Sequence, residues 1–140
     1  MRPARYKSAL RATIAASAGP YGYTLTIWTS GAVLSHALGI PSSPQALLFL
    51  IGAVVAYALV GGLAFGGYSE QLVLEPSRAL IWGGLHLFSV GLAIGAAELV
   101  ARFVTSGAAW PLGGFLATAL YLLGSASELA LAETGRASAR

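Results

Sequence analysis

Thr118, Tyr121, Ser125 and Glu128 are the residues whose spacing most suggests chemistry. At about 100° per residue on a helix they fall within an arc of about 80°, with Gly114 on the same side. Three hydroxyls therefore lead to one carboxylate. Hydroxyls can replace part of a solute's hydration shell, and a carboxylate at a mouth attracts cations. This makes the stripe a candidate solute pathway. The same groups can instead hold helices together by hydrogen bonds across a membrane interface.

The two histidines, His36 and His86, fall near the end of the first apolar segment and early in the third. They belong to opposite depths of a membrane, so neither one shared metal nor one bis-histidine haem fits them. Each reads as a relay or pore residue, or as a helix-to-helix hydrogen bond. Ser89 shares a face with His86, Ala93 and Ala97 and joins the histidines as a candidate polar site. Glu98 and Arg102 are four residues apart, the spacing of a helical ion pair. That pair reads as structural or as an ion gate.

Gly84, Gly91 and Gly95 share a face with Glu98 and Arg102, and Gly62 and Gly66 form a second GxxxG. Small faces let helix backbones approach closely, although the motif recurs easily in a chain with 18 glycines. The third helix, with packing-competent surfaces on two sides, is expected to be central. No Gly-rich loop followed by Lys, no nucleophile–base pair and no His/Asp/Glu metal cluster stands out. The absence of cysteine excludes disulfides, thiolate metal sites and iron–sulfur clusters. No acidic residue precedes Glu70, so an antiporter with a carboxylate deep in its first helix does not fit. The expectation is a non-enzymatic protein with no cofactor and no metal.

Composition says what must position these residues. The chain is 56% hydrophobic and 9% charged, against about 25% charged in an ordinary soluble domain. Lys, Arg, Asp and Glu are all absent from Pro20 to Ser69, a stretch long enough for two crossings of about 20 residues each. The net charge of +3 is concentrated at Arg2, Arg5, Lys7 and Arg11, beside the first apolar segment. That placement reads as an anchor on anionic lipid, and nucleic acid is not an expected partner. The weakly apolar run after Arg11 does not read as a cleaved signal.

These features predict an all-α, integral membrane four-helix antiparallel bundle, one membrane domain over 1–140. A short N-terminal interfacial helix is expected at 3–17, where Tyr6, Leu10 and Ile14 share a face, broken by Gly19-Pro20. Transmembrane helices follow at 21–38, 45–65, 79–104 and 110–131, then a polar tail at 132–140. Tyr21, Tyr23 and Trp28 suit an aromatic belt, and Ser43 before Pro44 reads as a helix start. The short connection at Gly39-Ile40-Pro41 predicts an antiparallel hairpin. Ile27-Trp28 and Ile81-Trp82 open alternate helices and suggest a duplicated hairpin. Arg2, Arg5, Lys7, Arg11, Arg78, Arg136 and Arg140 fall on one side and Arg102 alone on the other. The positive-inside rule then puts both termini in the cytoplasm of an inner-membrane protein. The expected function is a small self-associating channel or transporter for a small solute or ion. The alternative is an accessory or scaffold subunit of a larger membrane complex. The expected partners are the lipid bilayer and either further copies of the chain or that complex.

Overall fold

A computed structural model describes residues 3–64 and 87–137, with side chains described for 20–64, 87–128 and 130. The described residues form four α-helices and no strand: α1 Pro3–Leu38, α2 Ser43–Ala64, α3 Leu87–Phe103 and α4 Ala109–Ala137. Gly66, Gly84, His86 and Ile81-Trp82 lie outside them, as does the early part of the expected third helix.

Gly19-Pro20 does not break α1. The helix runs for 36 residues with Pro20 inside it, about 54 Å in all, so no separate interfacial helix forms at 3–17. Proline removes one amide from the hydrogen-bond ladder. The following turns hold the helix straight through by packing, because Gly22, Thr26, Ser30 and Leu34 recur every four residues and are all buried. Gly39 ends α1 with a φ of 89°, and its N–H bonds to Ser35 O at 3.0 Å, a left-handed cap that suits glycine.

Helix α2 starts one residue earlier than the Ser-Pro pair suggests. Ser42 O accepts the Ala46 N–H at 3.0 Å, which makes Ser42 the N-cap. Gln45 Oε1 accepts from Ser42 N–H at 2.8 Å and from its hydroxyl at 2.9 Å. This is the return half of a capping box. Pro44 then sits in the first turn, where a missing N–H costs no helical bond. At the other end of the chain, α4 continues to Ala137, into the stretch expected as a polar tail. Ala132, Glu133, Arg136 and Ala137 favour helix, and no proline stops it.

Helix α4, not α3, is central. Among the described residues it packs against each of the other three helices, α1 also packs on α3, and α2 packs on α4 alone. The expected close pairing of α1 with α2 is absent among the described residues, despite their short connection. The reason lies in the glycines. A Cβ at Gly52 would strike the Pro111 carbonyl oxygen, and one at Gly114 would strike the Phe49 carbonyl oxygen. Helices α2 and α4 therefore meet backbone to backbone, as small residues allow. Beyond this crossing, Leu34, Val100, Ala101, Ala109 and Trp110 form an apolar cluster, with Phe49 and Leu116 packed against it.

The described surface is rich in large apolar side chains, and four hydroxyl side chains are buried in an otherwise apolar interior. Thr26, Ser30, Ser89 and Thr118 are fully buried, while Trp28 is 74% exposed, Leu63 85% and Phe103 81%. Among the described residues two helical segments, Ser43–Ala64 and Ala109–Glu128, are long and apolar enough to cross a membrane.

Candidate functional site

The site is built where α3 and α4 come closest. A Cβ at Gly124 would lie 2.7 Å from Ser89 Cβ and 2.9 Å from Ser89 Cα. Only glycine lets Ser89 sit directly on α4. This contact brings Ser89 between Ser125 and Glu128, one turn apart on the facing helix. The Ser125 hydroxyl donates to Ser89 Oγ at 3.3 Å. The Ser89 hydroxyl donates to Glu128 Oε2 at 3.5 Å, and the Ser89 N–H donates to Glu128 Oε1 at 3.1 Å.

The stripe continues inward from there. Tyr121 lies one turn before Ser125 on α4. Tyr121 is 4% exposed and stacks at a tilt on Tyr23, with ring centroids 5.7 Å apart. Tyr23 Oη and Thr118 Oγ1 are 3.2 Å apart and share a hydrogen bond. All four stripe residues thus face the interior, and they acquire Ser89 from α3 and Tyr23 from α1. On the same side of α1, Thr26 satisfies its own hydroxyl on Gly22 O at 2.9 Å. Ser30 Oγ is buried without a hydrogen-bond partner among the described residues.

The other sequence candidates lie apart from this cluster. His36 is exposed near the end of α1. Glu98 and Arg102 pair on the outer face of α3, with Arg102 Nε donating to Glu98 Oε1 at 3.0 Å. Gly62, Gly91 and Gly95 have open space where a Cβ would go, so none of them packs closely on a helix among the described residues. The buried face of α3 is instead Ser89, Ala93, Ala97, Val100 and Ala101. The reason is the register set by Ser89 on Gly124, which turns Gly91 and Gly95 outward.

Tyr23 was not legible as a site residue, because its place near a helix start suits an aromatic belt equally well. Its spacing of three from Thr26 was the available signal. The partnership of Ser89 with Ser125 and Glu128 had no sequence signal, since it depends on how two helices are staggered. A separate cleft of about 580 Å³ opens between α1 and α2, lined by Ile27, Trp28, Gly31, Phe49 and Trp110 among others. It is apolar and includes no residue of the stripe. No family model, curated protein or solved structure matches this chain, so its function has to be read from its own residues.

Proposed function

We propose that the chain is a small, self-associating inner-membrane protein that forms a channel or transporter for a small solute or ion. In this reading it spans the bilayer four times as an antiparallel bundle, with both termini cytoplasmic. The observation that carries it is Glu128. An ionisable group on a membrane helix that turns inward to named polar partners marks a pathway by default. Here those partners are Ser89 and Ser125. Thr118 and Tyr121 extend the hydroxyls deeper.

The membrane assignment is supported by the large apolar side chains on the surface and by α2, whose apolar window is only 17% buried. A core helix of a soluble protein would be covered. Helix α1 is less apolar, yet Thr24, Thr26 and Thr29 each donate their hydroxyl to a carbonyl of their own helix, at 2.9, 2.9 and 2.6 Å. Such back-bonding removes the cost of hydroxyls in lipid.

A second reading is favoured by a different observation. Gly91 and Gly95 lie open on the face of α3 beside exposed Phe88 and Leu92. A smooth outward face suits contact with another membrane helix, either of a second copy or of a larger complex in which this chain is a scaffold subunit.

Purified protein in liposomes separates the two. The pathway predicts uptake of an ion or small neutral solute, a changed charge preference in Glu128→Gln and blocked passage in Ser125→Leu. No uptake of any member of a broad solute panel contradicts the pathway and leaves the scaffold.

A further inference from the structure

The cleft between α1 and α2 takes no part in the stripe, yet it has the make-up of a ligand site. Its volume is about 580 Å³, inside the range of about 300–1,000 Å³ usual for small-molecule clefts. Ile27, Gly31 and Ser35 line it from α1 and Phe49 from α2, and Trp110 lines it from α4, on which both helices pack. Helices α1 and α2 do not pack on each other among the described residues. The cleft is therefore open between two helices that the membrane reading places in lipid.

Two of the lining residues carry polar groups with nothing to bond. Trp110 is 4% exposed and Ser35 is half-buried. Neither the Trp110 indole N–H nor the Ser35 hydroxyl has a hydrogen-bond partner among the described residues. An indole can only donate, and a buried donor left unpaired is costly. The missing partner is thus an acceptor. No acidic, basic or histidine side chain is found among the described lining residues, so the occupant is uncharged where it lies.

Depth narrows the choice further. Trp110 packs in one cluster with Leu34, the neighbour of Ser35, and Pro41 of the α1–α2 connection also lines the cleft. In the membrane reading this end lies at the interface, where lipid esters lie. From Ser35 the cleft runs back to Ile27, about 12 Å along α1. One leaflet supplies about 15 Å of hydrocarbon. We propose that the cleft binds one ester-linked acyl chain of a bilayer lipid. The chain lies along Ile27, Gly31 and Phe49, and the ester carbonyl accepts from Trp110 and Ser35. A partner helix offers no such acceptor, because its carbonyls are already paired within the helix. A free fatty acid would bring a carboxylate that no cation in the cleft meets. This rests on the membrane reading and is independent of the pathway.

The test is native mass spectrometry of the full chain, extracted in detergent and given dioleoyl phosphatidylcholine or its ether-linked analogue, which lacks the carbonyl. The expected result is one retained ester lipid per chain, with the ether lipid held about fivefold more weakly for one lost hydrogen bond. Nothing lies within 4 Å of a Cβ at Gly31 or at Gly91. Gly31→Leu should therefore fill the cleft without moving a helix and abolish retention, while Gly91→Leu, on α3, leaves it unchanged. Should Gly31→Leu fail to fold, fluorescence decides. In a chain carrying Trp28→Phe and Trp82→Phe, phosphatidylcholine brominated midway along its chains should quench the buried Trp110. Retention unchanged in Gly31→Leu, equal retention of the ether lipid, or an unquenched Trp110 overturns the site. So does a second protein chain that Gly31→Leu releases in place of lipid. Membrane insertion with no lipid retained removes the site alone, whereas a chain that does not insert removes the membrane reading with it.

Discussion

At the scale of single residues, the two kinds of glycine make opposite predictions. Gly52 and Gly114 each face backbone atoms that cannot move aside. Gly52→Ala and Gly114→Ala should therefore destabilise the protein by at least the cost of overpacking, about 1–3 kcal/mol. Gly91→Ala and Gly95→Ala meet open space and should stay within about 0.5 kcal/mol in the isolated chain. Thermal unfolding in detergent checks this, and a large loss from Gly95→Ala alone would show that its face is covered. Glu98 and Arg102 form an exposed pair, worth about 0.3–0.5 kcal/mol. A double-mutant cycle with Glu98→Gln and Arg102→Gln should return a coupling of that size, whereas purely additive losses mean that the pair contributes nothing. Much of the stripe was readable at this scale, because Thr118, Tyr121, Ser125 and Glu128 follow helical periodicity. The glycine assignment was not, because a GxxxG marks a smooth face without saying whether that face meets a helix of the same chain.

At the scale of elements, most helices were legible and their ends were not. Apolar runs fix where a helix can be, whereas ends depend on local hydrogen bonds that several residues could make. Ser42 and Ser43 are both plausible caps in sequence. Gln45 decides between them, because its side chain reaches back to the Ser42 amide. Gln45→Ala should cost about 0.5–1 kcal/mol, in the range of a lost cap, and Ser43→Ala should cost almost nothing. A larger loss from Ser43→Ala than from Gln45→Ala would move the cap back to Ser43. Pro20 misleads in the other direction. Proline is a strong local breaker, but the buried Gly22–Thr26–Ser30–Leu34 face supplies tertiary packing that outweighs one missing bond.

At the scale of the whole molecule, the order of packing could not be read from the chain. A short connection between α1 and α2 argues for a tight hairpin, yet both helices seat on α4 and leave an apolar cleft between them. Close backbone contact at Gly52 and Gly114 outweighs chain proximity. An apolar surface was to be expected from so apolar a composition, and together with the bias of Lys and Arg it underlies the proposal that this is a four-span membrane protein with both termini inside. Single cysteines at Ser43, Ser69 and Ser106 test that claim most directly, since the chain has no cysteine of its own. An impermeant thiol reagent applied to intact cells should label Ser43→Cys and Ser106→Cys. Ser69→Cys should react only after the membrane is opened, and its labelling from outside would contradict the topology.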